Sequence, residues 1–271
     1  MSTGAATPAT GRVIFVSAGP GAADLITLRG ARALAQADIV LADALADPAL
    51  RDLAPQARWL DVGKRGFEHS AKQTEINALL VKAAREHALV VRLKGGDASI
   101  FGRLEEELIA LAEAGIASEV VPGVTAALAA AAQAQRPLTR RGRGRSVSLT
   151  TAMTEKGELR AGHHADTEVF YMAGRQLAAL GRQLLAAGWA PETPTLVVSR
   201  AGCADAITSE HALADLAAAA LLHRGRPTVV TVGTGAGLVG DQHRGRAAPH
   251  KIAVSPEIAP SKAPLTSKSP S

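Results

Sequence analysis

Between Arg12 and Ala134 five short apolar runs each end in a turn rich in Gly, Pro or Asp, and four of these turns lead into a segment of helical periodicity. Such alternation predicts a parallel sheet with crossover helices, and few other folds accommodate it. The strands are expected over residues 12–17, 38–42, 59–62, 90–93 and 117–121, and the helices over 28–37, 74–87, 104–114 and 126–134. Beyond Arg145 the pattern resumes with strands at 146–151, 168–172, 195–199 and 227–232 and helices at 176–187 and 210–220, which is enough for a second, smaller α/β domain.

In a parallel sheet the ligand crevice lies outside the carboxyl ends of the strands, so the turns there carry the functional reading. The central one is Lys94-Gly95-Gly96-Asp97, followed by Ile100-Phe101-Gly102-Arg103 and the acidic trio Glu105-Glu106-Glu107, which suits the positive end of a helix. Glycines admit close backbone approach, and Asp97 offers acceptor oxygens to a hydroxyl, an ammonium group or a metal; the same residues also serve an ordinary turn and cap. After the first strand, Ala18-Gly19-Pro20-Gly21 matches a dinucleotide fingerprint only in part, because Asp24 stands where a small residue is required; this disfavours a nicotinamide enzyme. Asp43 closes the second strand, either at the crevice edge or as a loop-start residue, and Thr27 is placed to cap the first helix.

Composition bounds the rest. A chain of 271 residues, 47% hydrophobic, has ample material for two cores. Its single cysteine, Cys203, excludes an internal disulfide and fits a cytoplasmic protein in which that thiol is inert. No run approaches the ~20 apolar residues of a spanning helix, and the N-terminal stretch lacks the pattern of a signal peptide, so neither membrane nor export is expected. From Arg244 onward five cations face one acid, Glu257, leaving +1 of the net +5 for the remainder; with 3% aromatic residues, a nucleic-acid partner is disfavoured. The segment 136–145 holds five arginines and no acid, and reads either as a solvated linker or as forks that capture a multiply carboxylated anion. His163-His164 lacks metal-ligand spacing and reads as surface.

In order along the chain, Ala18-Gly19-Pro20-Gly21, Gly63-Lys64-Arg65, Gln73-x-Glu75-Ile76-Asn77, Arg92-Leu93-Lys94-Gly95-Gly96-Asp97, Ile100-Phe101-Gly102-Arg103, Val120-Val121-Pro122-Gly123-Val124-Thr125-Ala126, Pro137-Leu138-Thr139 and Val169-Phe170-Tyr171-Met172 resemble the tetrapyrrole (corrin/porphyrin) methylases. The resemblance is closest to the branch that methylates uroporphyrinogen III. It implies a two-domain α/β fold with a flexible tail at 1–11, a parallel-sheet N-terminal domain at 12–138, a smaller mixed-sheet C-terminal domain at 139–243, a disordered basic tail at 244–271, and the active site in the cleft between the domains. It further implies S-adenosyl-L-methionine as cofactor, S-adenosyl-L-homocysteine as product, no metal, a tetrapyrrole substrate and a homodimer. Cofactor contacts would fall on Pro20, Gly95, Gly96, Asp97, Ile100, Thr125, Ala126, Met172, Ala201 and Thr228. Asp43 and Lys64 would be proton-transfer groups, Arg103 and Glu106 would sit at the substrate face, and Arg140, Arg141 and Arg145 would hold the substrate carboxylates. The implied reaction is C-methylation at two ring carbons to precorrin-2, on the way to sirohaem, cobalamin or haem d1. A related corrinoid methylase, or a weakened paralogue that only binds tetrapyrrole or cofactor, are the alternatives. The chain departs from the branch at Ala42 and Ala44 around Asp43, at Ala98-Ser99, and at Leu104-Glu105, all on the expected substrate side.

Overall fold

The computed structural model describes residues 11–63, 73–153, 159 and 161–240. The first half runs β1 (Arg12–Ser17), α1 (Leu28–Leu34), β2 (Ile39–Ala42), β3 (Arg58–Asp61), α2 (Gln73–Glu86), β4 (Leu89–Lys94), α3 (Leu104–Glu113), β5 (Ser118–Val121) and α4 (Ala126–Gln133). Its five strands form one parallel sheet in the order β3-β2-β4-β1-β5. Alternate side chains leave opposite faces of each strand. Ile14, Val16, Val40 and Val91 therefore pack with Ala33 and Leu34 of α1, while Val13, Phe15, Leu41 and Val90 pack with Leu80 of α2 and Leu111 of α3. Burial on both faces is why these strands read as unbroken apolar runs. Thr27 caps α1 as expected, its Oγ1 accepting from Gly30 N at 3.1 Å.

The second half contributes β6 (Val147–Thr151), β7 (Thr167–Tyr171), α5 (Leu177–Ala186), β8 (Pro194–Ser199), β9 (Ile207–Ala212) and β10 (Thr228–Gly233). They form a mixed sheet, β6-β7-β10-β8-β9, in which only β6 and β7 run parallel. One expectation is corrected here: 210–220 is no single helix. Ile207–Ala212 is an edge strand antiparallel to β8, and Leu213–Ala220 coils as a 3₁₀ helix. Thr208, Ser209 and Glu210 interrupt the apolar alternation of a half-exposed edge strand, and the buried Leu213, Leu216 and Ala219 recur every three residues, a spacing that suits 3₁₀ winding.

α5 and the 3₁₀ helix cover one face of this sheet through Leu180, Leu184, Leu213 and Leu216. The other face is covered by α4, whose Ala127, Ala129 and Ala130 lie against Val169, Leu196, Val198 and Val229. Alanine permits the close approach, and one helix thereby joins the two sheets. The halves also meet where Ala22 N donates to Gly202 O at 2.9 Å and where Arg136 Nη2 bonds Glu210 Oε1 at 2.6 Å. A Cβ on Gly21 would overlap the Cys203 sulfur, so this turn and that thiol are in direct contact.

Candidate active site

The turns after β1, β4 and β5 are stitched together at the middle of the first sheet. Gly96 N donates to Gly19 O at 2.7 Å and Gly19 N to Gly96 O at 3.2 Å. Both glycines hold positive φ, +68° and +82°, where a side chain is strained, so this exchange depends on glycine at both positions. Asp97 lies between the turns. Its Oδ2 accepts from Gly123 N at 2.8 Å and its Oδ1 from Ser99 N at 2.8 Å and from the Ser99 hydroxyl. Burial pushes this carboxyl upward, but the bonds from Gly123 and Ser99 outweigh it and leave Asp97 below the ordinary carboxylate range.

The second sheet closes on these turns through Tyr171. Its hydroxyl pairs with Thr125 Oγ1 at 2.7 Å and accepts from Ala127 N at 3.3 Å, while the Phe101 ring meets it edge-on with centroids 5.1 Å apart. Ile100, Ala126 and Ala201 pack in the same cluster as Tyr171. Met172 follows with its side chain 45% exposed, and Thr228, buried on the Arg226 carbonyl, faces Gly174. Pro20 lies against Gly202, next to Ala201. All ten residues assigned to the cofactor by resemblance thus gather where the carboxyl ends of the first sheet meet the Met172 and Ala201 end of the second. Among the described non-glycine residues with positive φ, Phe101, Arg103, Met172 and Arg200 belong to this region and Gln135 does not. Backbone held in a sparsely populated conformation concentrates at working sites.

On the rim, Arg103 grips Glu106 in a two-point pair, Nε to Oε1 and Nη2 to Oε2, each 2.7 Å. The Arg103 bond draws the exposed Glu106 carboxyl below its usual range. Asp43 stands at the end of β2, about one-third exposed, with Oδ1 2.6 Å from Arg92 Nη2. Lys64 lies outside the described residues.

Beneath the rim is a charged group that the sequence reading passed over. Arg92 and Lys94, alternate residues of β4, are buried, and so is Glu107 of α3. Glu107 Oε1 accepts from Arg92 Nε at 3.2 Å and from Lys94 Nζ at 3.0 Å. Burial drives the Lys94 ammonium down, Arg92 adds to this, and Glu107 opposes it; the net shift is downward. Two cations inside an apolar strand were the available signal. Glu107 was hidden inside an acidic run that already had an explanation at the helix start.

The arginine segment divides differently from either expectation. Arg136 bridges to Glu210, and Arg140 donates to the carbonyls of Gly237 and Leu238. Arg141, Arg143 and Arg145 are exposed. Arg145 N bonds Asp166, just before β7, whereas Met172 follows its far end. At ~3.3 Å per residue, the length of β7 separates Arg140 and Arg145 from the crevice. A cavity of about 400 Å³ lined by Arg140, Arg143, His163 and Trp189 opens at the Asp166 end of β7, away from the crevice, with the exposed His163 stacked on Trp189 at 3.8 Å. Among the described residues no cluster of three or more His, Cys, Asp or Glu has the arrangement of a metal site.

A family model described as Tetrapyrrole (Corrin/Porphyrin) Methylases matches residues 12–217. The chain belongs to the tetrapyrrole methylase family. It is 44% identical over 196 residues to a uroporphyrinogen-III C-methyltransferase of Pseudomonas aeruginosa, covering 71% of this chain and 80% of that one. It is also 44% identical over 197 residues to a siroheme synthase of Hahella chejuensis, of whose length it spans 42%. Among solved structures, uroporphyrin-III C-methyl transferase from Thermus thermophilus complexed with S-adenyl homocysteine superposes with a TM-score of 0.73 at 36% identity, covering 82% of this chain and 97% of that one. A cobalt precorrin-4 methyltransferase superposes with the same TM-score at 27% identity, covering 84% and 96%. The two-sheet α/β architecture of this tetrapyrrole methylase is thus that of the methyltransferases it resembles. Among its described residues no helix is long and apolar enough to cross a membrane.

Proposed function

We propose that this methylase transfers methyl groups from S-adenosylmethionine to two ring carbons of uroporphyrinogen III, giving precorrin-2, and works as a cytoplasmic homodimer without a metal. The observation that carries the reading is the gathering of the three stitched turns, Tyr171, Met172 and Ala201 at one place.

The residues there fit the cofactor. Gly95, Gly96, Ala126 and Ala201 present little side chain, which allows a nucleoside to approach the backbone closely, and Met172 exposes an apolar surface. Asp97, ionised and anchored on Gly123, offers remaining acceptor capacity to hydroxyl or ammonium groups. Bound there, S-adenosylmethionine supplies an electrophilic methyl group. The chain contributes alignment and exclusion of water, which together lower a transfer barrier by several kcal/mol. Arg103, held by Glu106, presents a cation to the substrate carboxylates, and Asp43 is the candidate acceptor of the proton that leaves the ring, a role worth roughly 10²–10⁴ in rate. Arg141 and Arg145 are exposed but stand at the Asp166 end of β7, a strand's length from the crevice, so in this reading the substrate carboxylates are met by Arg103.

The test is an anaerobic incubation with S-adenosylmethionine and uroporphyrinogen III, the added methyls being counted by mass spectrometry. Two methyls are expected. One methyl, or methylation only of a later corrinoid, would move the assignment toward the cobalt precorrin-4 methyltransferase relatives; cofactor binding without turnover would make the chain a binder. Arg103→Ala should cut turnover about 100-fold with S-adenosylhomocysteine affinity within twofold, and light scattering should give twice the chain mass.

A further inference from the structure

We propose that Glu107 is a positioning residue that sets the place of Asp43 by acting through Arg92. The inference rests on the proton-transfer role given to Asp43 above.

All five N–H donors of Arg92 are assigned. Nε and one Nη2 proton go to Glu107 Oε1 at 3.2 and 3.1 Å, the Nη1 protons to the carbonyls of Leu41 and Leu93 at 3.2 Å each, and the second Nη2 proton to Asp43 Oδ1 at 2.6 Å. The guanidinium plane is therefore fixed by Glu107 at one end and delivered to Asp43 at the other. Glu107 is itself held from two further sides: Lys94 Nζ reaches both its oxygens at 3.0 Å, and Gln73 Nε2 reaches Oε1 at 3.1 Å. Arg92 and Lys94 face Asp43 from β4 and Glu107 from α3, so two cations balance two carboxylates.

Asp43 is the only one of the four that reaches solvent, and it does so at the crevice edge. A buried ionic group of this kind adds little stability over a well-packed apolar one. Its asymmetry, three sealed members ending in one exposed carboxylate, is what a positioning device requires. Removing the charge of Glu107 would leave Arg92 and Lys94 to share a single counter-ion, drawing Asp43 inward and away from the crevice.

The experiment compares Glu107→Gln, Lys94→Met and the double variant in the full chain. For Glu107→Gln, kcat is expected to fall about 10–100-fold with KM for uroporphyrinogen III and affinity for S-adenosylhomocysteine within twofold, because an ångström-scale displacement of a reacting group costs this much. The double variant, in which Arg92 and Asp43 remain as a matched pair, should recover most of the loss. Independently of turnover, the ¹³C resonance of the Asp43 carboxyl at fixed pH, assigned by its loss in Asp43→Asn, should move from its wild-type position in Glu107→Gln and return to it in the double variant. A wild-type kcat in Glu107→Gln, or an Asp43 resonance that keeps its wild-type position in that variant, would overturn the proposal. If Glu107→Gln does not fold, Lys94→Met and the double variant decide it by the same two readouts. If the wild type methylates nothing, the proposed function falls and the position of the Asp43 resonance still decides this inference.

Discussion

Asp97 accepts only from N–H and O–H donors, so its carboxylate has no isostere that keeps every bond. In Asp97→Asn the new amide would point a donor at Gly123 N or at Ser99 N, whichever way it turns. One buried donor then goes unmet, at about 1–3 kcal/mol. The measurable result is a lower urea midpoint together with weaker S-adenosylhomocysteine binding; unchanged values in both would remove Asp97 from the site. Because the folded carboxyl lies below its unfolded range, Asp97 contributes stability that is complete above the unfolded value near 3.8 and is lost as pH falls below it. At this scale the sequence was informative where a residue type is scarce in its surroundings, as with Gly-Gly-Asp. It was silent about Ser99, whose two bonds to Asp97 exist only once the turn is folded.

The strand elements were legible wherever both faces are buried, since β1, β2 and β4 are apolar throughout apart from Arg12, Arg92, Lys94 and Ser17. β9 was missed because an edge strand needs only one apolar face and this one also carries a polar relay. Arg226 Nε donates to Ser199 Oγ at 3.0 Å, which leaves the Ser199 proton for His223 Nδ1 at 2.9 Å. His223 Nε2 then donates to Ser209 Oγ at 2.9 Å, and Ser209 to His211 Nε2 at 2.7 Å. This arrangement satisfies every member of the relay with both histidines neutral. Burial lowers His223 first and foremost, with His211 and Arg226 adding to it, to about 4 from an ordinary 6.5. The unfolded chain therefore binds a proton that the folded one refuses between those values, and stability is complete above pH 6.5 and declines toward pH 4, by about 3 kcal/mol for a group shifted this far. Unfolding free energies at pH 7 and pH 5 should differ accordingly. His223→Gln, which can accept from Ser199 and donate to Ser209, should flatten the dependence; an equally steep slope in that variant would place its source elsewhere.

At the scale of the whole molecule, the two sheets are one structure because α4 belongs by sequence to the first and by packing to the second. No periodicity in the chain announces that. The alanines of 126–134 predicted close approach without naming the partner. Tyr171 sits on this joint, and Tyr171→Phe removes the hydroxyl shared by Thr125 and Ala127. A loss of about 1–2 kcal/mol in unfolding free energy is expected, with weaker S-adenosylhomocysteine binding, because Thr125 begins the helix that spans both halves. Calorimetry should still give a single transition; two would mean that α4 does not couple the sheets.

The contact between Gly21 and Cys203 turns the only cysteine of the chain into a built-in gauge of how far the halves separate. Cys203 is partly buried in the joined state and that burial raises its thiol above the ordinary range, so separation of the halves would speed its attack on a chromogenic disulfide. A change in that rate reports a change in how the halves are joined, without mutation or attached dye. A small molecule that bridges the first sheet and the Ala201 loop would slow the clock, and one held by a single half would leave it running.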